Sequence, residues 1–242
     1  MDKMIRINLW SGPRNISTAL MYSFAQRNDT TVYDEPLYAF YLANSKAKEY
    51  HPGSDEILEK MENDGQQVVK MMEGNHPTKV VFFKHMTHHL LDLDRSFMKN
   101  MINVFLTRDP KEMLPSYMEQ VERPTLDDVG YAAHIDLMNY LNKIKKEIIV
   151  LNGKNILLNP KKVLSELCEK IGIPFEESML TWKAGARPED GCWAKYWYKN
   201  VHRSTGFGIY KPKTAPFPNQ LKALLEECQP YYEQLNALAI QP

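Results

Sequence analysis

The sequence predicts an α/β fold with three layers (α/β/α), in which helices cover both faces of a central, mainly parallel sheet. Short apolar runs recur along the chain, and most are apolar throughout instead of alternating with polar residues. That pattern is typical of strands buried on both faces. Helical stretches separate the runs, and such alternation favours a parallel sheet. The 242 residues suit one domain over 1–242 with helical insertions.

Five apolar runs are predicted as strands. They are MIRINLW at 4–10, TTVYD at 30–34, KVVFFK at 79–84, MINVFLT at 101–107 and NILLN at 155–159. Helix ends are indicated by Asp109 as an N-cap before Pro110, and by Gly172 after an apolar periodic segment. The predicted helices are 17–27, 110–122, 126–150, 160–171 and 219–238. Residues 183–218 are rich in glycine, proline and aromatic residues, and we expect one long, functional loop there.

Charge and cysteine usage argue against several classes of function. Lysine and arginine together number 30, as do aspartate and glutamate, so neither a nucleic acid nor a membrane is expected as the main partner. The three cysteines show no CxxC spacing, which indicates a reduced, cytoplasmic chain without disulfides or a zinc site. We expect neither a signal peptide nor a transmembrane helix. The oligomeric state is open, and a homodimer is one alternative.

The segment after the first predicted strand has the layout of a phosphate-binding loop. Gly12 permits a tight turn, and Pro13 fixes φ at the entry to a helix. Charged, amide and hydroxyl donors lie beside the free N–H groups of the helix N-terminus, where anions bind; they come from Arg14, Asn15, Ser17 and Thr18. The Walker A pattern fails, because Ser17 and Thr18 occupy its second Gly and its Lys positions. A P-loop-type site for a single 5′-phosphate fits better, with an ordinary capped turn as the alternative.

A second candidate phosphate site follows the fourth predicted strand. Arg108 lies at the end of that strand and offers a forked donor suited to phosphate. Ser116 lies about two helical turns further on, and helix side chains lean back toward the N-terminus. The alternative is an arginine that caps a strand end and a helical serine without a role.

Together these two segments resemble the sulfotransferase superfamily, whose enzymes use 3′-phosphoadenosine 5′-phosphosulfate as the sulfuryl donor. The spacing from Arg108 to Ser116 matches, residues 159–182 resemble a third family segment, and 202–212 look like a variant of the loop that closes over the cofactor. The resemblance covers about residues 4–212. It implies a donor site made of Gly12, Pro13, Arg14, Asn15, Ile16, Ser17, Thr18, Arg108, Ser116, Arg203 and Gly206.

Two residues depart from the family's pattern. Arg14 stands where cytosolic members have lysine; it keeps the charge and binds phosphate at two points. Ile16 stands where many members have glycine. Because a β-branched residue disfavours positive φ, we expect the loop to wrap differently around its ligand.

Sulfuryl transfer needs a base for the acceptor's proton and positive charge at the leaving phosphate. Arg14 is the candidate for that charge, and Lys84 matches the family's lysine. Glu35, after the second predicted strand, is the preferred base, and His85 is the second candidate. The family often has Lys-x-His here, which would place the histidine at Met86. Strand alternation sends residues 85 and 86 to opposite sides, so His85 serves only if the strand has already ended.

The acceptor is not identified by the sequence beyond a small organic molecule with a hydroxyl or an amine. Aromatic residues near Glu35 and in the long loop are candidates for its pocket, with plain core as the alternative; they are Tyr33, Tyr38, Phe40, Tyr41, Tyr50, Trp193, Tyr196, Trp197 and Tyr198. No metal site is predicted, because His85, His88 and His89 have no acidic or cysteine partner at ligand spacing. Two other functions stay open: a kinase-type enzyme with Asp34 as a magnesium ligand, and a descendant that binds a nucleotide or a partner protein without catalysis.

Overall fold

The computed structural model describes residues 4–242 and contains a five-stranded parallel sheet in the order β2-β3-β1-β4-β5. The strands are β1 (Ile5–Ser11), β2 (Thr30–Asp34), β3 (Val80–Met86), β4 (Ile102–Thr107) and β5 (Ile148–Asn152). All four pairings are parallel. Four of the five predicted strands are therefore found within one or two residues of the predicted ends.

The carboxyl ends of the strands meet along one edge of the sheet. Ser11 at the end of β1 lies opposite Met86 of β3 and Leu106 of β4, and Asp34 at the end of β2 lies opposite Lys84. The loops that follow β1, β2, β3 and β4 therefore lie side by side. Open parallel sheets bind ligands beyond this edge.

Helices cover both faces of the sheet. The helices are α1 (Ser17–Phe24), α2 (Tyr38–Ala43), α3 (Ser54–Lys60), α4 (Gly65–Glu73), α5 (Pro110–Met118), α6 (Leu126–Val129), α7 (Tyr131–Lys143), α8 (Gly153–Leu158), α9 (Pro160–Ile171), α10 (Ala194–Trp197) and α11 (Lys222–Ala237). No helix of residues 4–242 combines the length and the apolar character needed to cross a bilayer.

Successive strand residues point to opposite faces and pack into two separate cores. In β3, Phe82 packs on the face covered by α1 and α9, whereas Phe83 packs on the face covered by α5, α7 and α11. In β4, Val104 and Phe105 divide in the same way. The predicted three-layer α/β/α class is confirmed.

The helical insertions lie between β2 and β3. Helices α2 and α3 form a third apolar cluster, and residues of the long loop complete it. Trp193 and Tyr198 of that loop pack with Tyr38 and Leu42 of α2 and with Ile57 of α3. Residues 183–218 are irregular apart from α10 and short 3₁₀ turns, and they pack beside the carboxyl edge of the sheet.

The fifth predicted strand was wrong. Residues 155–159 lie mostly in α8, and β5 is formed earlier, by residues 148–152. The β-branched run Ile148-Ile149-Val150 suits a buried strand. Asn152 then begins a helix, because its side chain accepts a hydrogen bond from the Lys154 N–H at 2.9 Å.

The single long helix predicted over 126–150 was also wrong. Gly130 has φ of +75° and separates α6 from α7, and Lys145 has φ of +56° after the end of α7. Left-handed conformations interrupt a right-handed helix, so the chain turns at both points. The predicted helix 110–122 also ends early, at Met118.

A glycine at position 12 is required by a close backbone contact. A Cβ there would lie 2.7 Å from the carbonyl oxygen of Val129 in α6. We expect Gly12→Ala to lower the free energy of unfolding by about 1–3 kcal/mol, the usual effect of overpacking, in a urea titration.

Gly208→Ala is the matched control, because a Cβ there meets nothing within 4 Å. Its free energy of unfolding is expected to stay within about 0.5 kcal/mol of the parent. Equal losses in both variants would show that the Val129 contact does not constrain position 12.

Candidate active site

The loop after β1 leads into the N-terminus of α1 and is tied to β4. Ile16 is the N-cap with φ of −90° and ψ of 26°, and Ser17 is the first helical residue. Asn15 Oδ1 accepts a hydrogen bond from the Ile16 N–H at 3.0 Å, and Asn15 Nδ2 donates to the Leu106 carbonyl at 3.0 Å. Asn15 therefore fixes the loop against the neighbouring strand, with the α1 N–H groups facing the sheet edge.

Positive φ in this loop falls on Arg14. Its φ is +52°, so the loop reverses at Arg14, and Ile16 keeps an ordinary backbone conformation. The φ of Ile16 agrees with the preference of a β-branched residue for negative φ. Glu35 also has a positive φ, +45°. Such conformations cost energy in residues with a Cβ and cluster at functional sites.

The two predicted phosphate segments lie against each other. Arg14 Nε donates to Ser116 Oγ at 3.1 Å, and Arg108 Nη1 donates to the Arg14 carbonyl oxygen at 2.8 Å. Tyr131 donates to the Arg108 carbonyl oxygen at 2.6 Å and fixes the end of β4. Burial lowers the pKa of Arg14, Glu119 opposes this, and Arg108 adds to it. Arginine keeps its charge in proteins, so two cations face one small region.

A cavity of about 470 Å³ opens beyond the carboxyl edge of the sheet, a size within the range of small-molecule sites. Its lining joins the phosphate segments to the ends of β2 and β3. One end is lined by Pro13, Arg14, Asn15, Ile16, Ser17, Thr18, Arg108 and Ser116, and the other by Glu35, Tyr38, Lys84, Met86, His88, His89, Trp193, Trp197 and Tyr198.

Lys84 is a fully buried cation with three oxygen partners. Its Nζ donates to Asp34 Oδ1 at 2.8 Å, to Tyr198 Oη at 2.7 Å and to Glu35 Oε1. Burial alone would lower the pKa of Lys84, but Asp34 and Glu35 outweigh it and raise that pKa well above its ordinary value. Asp34 also accepts from Tyr198 at 2.8 Å and from the Gly191 N–H at 3.1 Å. The network joins β2, β3 and the long loop.

Glu35 lies at the turn that follows β2. Its N–H donates to the Lys84 carbonyl at 2.8 Å, and its own carbonyl accepts from the Tyr38 N–H at 2.9 Å. Burial raises the pKa of Glu35 above its ordinary value; Lys84 opposes this, and Asp34 adds to it. A carboxyl group with a raised pKa beside a cavity has the properties of a general base.

His85 does not reach the cavity. Strand β3 continues through Met86, so alternation places Lys84 and Met86 on the cavity side and His85 on the other. The His85 ring stacks on Trp10 with centroids 4.5 Å apart, and its Nε2 lies 3.3 Å from Asn8 Oδ1. The prediction of His85 as an alternative base is corrected: it is a core residue.

His88 and His89, for which the sequence predicted no metal site, both line the cavity. Burial lowers the pKa of His88 to about 3 and that of His89 well below its ordinary value, so both rings are neutral. In the sequence, one feature indicated that His88 and His89 lie near the site: they follow the strand that contains Lys84. No group of three or more metal-ligating side chains was found among residues 4–242.

The predicted aromatic residues divide between several places. Tyr38, Trp193, Trp197 and Tyr198 line the cavity. Tyr41 and Tyr50 line a second, neighbouring cavity. Tyr33 and Phe40 pack against the core, and Tyr196 is exposed.

The two site residues predicted in the long loop, Gly206 and Arg203, differ in their position relative to the cavity. Gly206 lines the cavity and forms a bridge with Thr181, where a Cβ would lie 2.8 Å from the Leu180 carbonyl oxygen. Arg203 is exposed and is not part of the lining, which includes Ser204 instead. Gly12 also lies outside the lining and supports the loop from α6.

Comparisons with known proteins identify the family and the fold of the chain. The chain matches the model of the sulfotransferase domain over residues 5–239. Its fold is similar to that of the sulfotransferase domain from the curacin biosynthetic pathway, with a TM-score of 0.57, 17% identity and 99% of each chain covered.

Two relatives come from Arabidopsis thaliana. Branched-chain-amino-acid aminotransferase-like protein 1 is 41% identical over 234 residues and protein 2 is 38% identical over 231 residues, which covers 96% and 95% of this chain. The chain spans only 41% of the length of each relative, so their names describe much longer proteins. The family match over nearly the whole chain confirms the resemblance seen in the sequence: the chain belongs to the sulfotransferase domain family.

Proposed function

We propose that the chain transfers a sulfuryl group from 3′-phosphoadenosine 5′-phosphosulfate to a small organic acceptor with a hydroxyl or an amine. One observation carries this proposal. A single cavity has two arginines and a helix N-terminus at one end, and a buried carboxylate–lysine pair at the other. The first end suits an anionic donor, and the second suits removal of a proton from an acceptor.

The residues present fit the two anionic parts of such a donor. The N–H groups at the start of α1, with Ser17 and Thr18, suit the 5′-phosphosulfate. Arg108 and Ser116 suit the 3′-phosphate, because a guanidinium and a hydroxyl donate to several phosphate oxygens at once. Arg14 contacts Ser116 and lies between the two positions. Gly206 would be part of the loop that covers the bound donor. Arg203 would have to move to contact the donor.

The chemistry would use groups at both ends of the cavity. The donor supplies an activated sulfuryl group when bound. Glu35 accepts the proton of the acceptor, and Arg14, at the other end of the cavity, stabilises the charge left on the phosphate. Lys84, whose three donors are taken by neighbouring oxygens, would instead hold Glu35 in a fixed position for this step.

The donor proposal predicts selective binding of 3′-phosphoadenosine 5′-phosphate. At about 100 times its Kd, it should stabilise the chain by roughly 2.7 kcal/mol, which raises Tm by a few degrees. ADP should give a smaller shift, and Arg108→Ala should abolish the difference between the two nucleotides. Thermal unfolding with each ligand measures this.

Arg95→Ala is the matched control, because Arg95 pairs with Asp136 at 2.6 Å and lies outside the cavity lining. It should keep the selectivity of the parent. If ADP raised Tm as much as 3′-phosphoadenosine 5′-phosphate does, the proposed 3′-phosphate site would be wrong. A preference for ATP with magnesium would favour the kinase-type alternative, and nucleotide binding without turnover would favour the non-catalytic descendant.

The base proposal predicts a pH dependence. Glu35 acts as a base only when ionised, so kcat/KM should rise with pH through a value above 4.5, the ordinary pKa of the group. Glu35→Gln should lower kcat about 10²–10⁴-fold and remove this limb of the profile. Transfer from labelled donor to a panel of small alcohols and amines measures it.

Glu177→Gln serves as the control, because Glu177 is an exposed carboxylate paired with Lys161. Its rate and pH profile should match those of the parent. If Glu35→Gln retained the rising limb, another group would be the base.

A further inference from the structure

His89 is held more rigidly than a solvated histidine would be. Its ring lies between Tyr38 and Tyr41, stacked on both, with centroid distances of 4.6 and 4.5 Å and interplanar angles of 17° and 21°. The side chain is 2% exposed. Two parallel aromatic contacts fix the plane of the imidazole.

One ring nitrogen of His89 has a hydrogen-bonding capacity that the protein does not use. Nδ1 is buried and has no hydrogen-bond partner. Buried polar atoms without partners are rare, and an unfilled ligand position is one explanation for them. His89 also lines the cavity, so a ligand there contacts its side chain, and a small shift of that side chain would open the buried Nδ1 to it.

The second carboxylate oxygen of Glu35 lies near this nitrogen. Glu35 Oε1 accepts from Lys84, and Oε2 lies 3.8 Å from His89 Nδ1. That separation is too long for a direct hydrogen bond. An oxygen atom about 2.8 Å from each of the two atoms would bridge them.

We propose that Glu35 Oε2 and His89 Nδ1 form a two-point site for the reacting hydroxyl group of an acceptor alcohol, and that this site selects hydroxyls over amines. The inference rests on the proposed function and names its acceptor class. The hydroxyl donates its proton to Glu35 and accepts a hydrogen bond from the Nδ1–H of neutral His89.

Lone pairs explain the selection. A hydroxyl oxygen has two, so one accepts from His89 while the other attacks sulfur. A neutral amine has a single lone pair, which cannot do both. In the transfer, a bond forms between the acceptor oxygen and sulfur, and the bond between sulfur and the phosphate oxygen of the donor breaks. Its electron pair stays on that phosphate, and the acceptor's proton goes to Glu35.

The walls around this position suit an acceptor with an apolar body. Tyr38, Trp193 and Trp197 present aromatic surface to the cavity, and His88 is a neutral ring beside them. We therefore expect an uncharged alcohol in which the hydroxyl is the group that the site recognises.

The first test is the protonation state of His89 in the wild-type chain. Nitrogen-15 NMR of labelled histidine at pH 8, with 3′-phosphoadenosine 5′-phosphate present, should show a neutral ring that carries its proton on Nδ1. His89→Phe assigns the signal, and His89→Asn assigns it if the first variant does not fold. A charged ring, or a proton on Nε2 alone, would overturn the proposal.

The second test compares phenol and aniline, two neutral probes of matched shape, as acceptors with the phosphosulfate donor. We expect transfer to phenol and little or none to aniline. His89→Phe keeps the stacking and removes the donor, so kcat should fall about 10²-fold with donor KM unchanged. His89→Asn should recover part of the rate, because its amide N–H replaces Nδ1–H.

His76→Phe is the matched control; His76 lies outside the cavity beside Tyr33, and the substitution should leave transfer unchanged. If the chain binds the bisphosphate nucleotide but transfers equally well to aniline, or to neither probe, the hydroxyl site is wrong and the donor site stands. Loss of nucleotide selectivity would instead overturn the proposed function.

Discussion

The rest of this site depends on the hydrogen bonds and ion pairs of the buried Lys84 ammonium group. A charge with no exposure to water is stable only when its partners are complete, because the cost of desolvation is large. Asp34, Glu35 and Tyr198 supply those partners from β2, from the turn after it and from the long loop. The loop is therefore tied to the sheet by a network that includes three residues of the cavity lining, Lys84, Glu35 and Tyr198.

Asp34 and Glu35 have different roles because their contacts differ. Asp34 is surrounded by donors from Lys84, Tyr198 and the Gly191 N–H, so it serves as a fixed counterion. Glu35 gives one oxygen to Lys84, and its other oxygen approaches His89 at the cavity. Neighbouring titratable groups in unlike environments are what acid–base chemistry requires.

Backbone strain marks both ends of the cavity. Arg14 and Glu35 follow different strands, yet both adopt positive φ without being glycine. Positive φ at Arg14 places its carbonyl oxygen within 2.8 Å of Arg108, and positive φ at Glu35 accompanies the bond from its N–H to Lys84. In each case a hydrogen bond accompanies the conformation: the Arg14 carbonyl accepts from Arg108, just after β4, and the Glu35 N–H donates to the Lys84 carbonyl of β3. Strain of this kind persists only where the surrounding structure determines it.

The sequence by itself determined the features that depend on local pattern. Continuous apolar runs identified β1 to β4, and the residues after β1 and β4 indicated two candidate phosphate sites, at Arg14 and at Arg108 with Ser116. The family resemblance joined them into one donor site, and the structure places Arg14 against Ser116. Local pattern failed at β5, because an apolar run next to a capping asparagine is compatible with either a strand or a helix.

Only the tertiary structure decided which side chains share the cavity. Strand β3 continues through Met86, and alternation along it turns His85 away from the cavity. His89 lies in the turn after the strand and lines the cavity. Tyr198 meets Lys84 across 114 residues of sequence, within a loop that has no periodicity to read. Contacts of that kind arise from packing between distant segments, so no local pattern of residues encodes them.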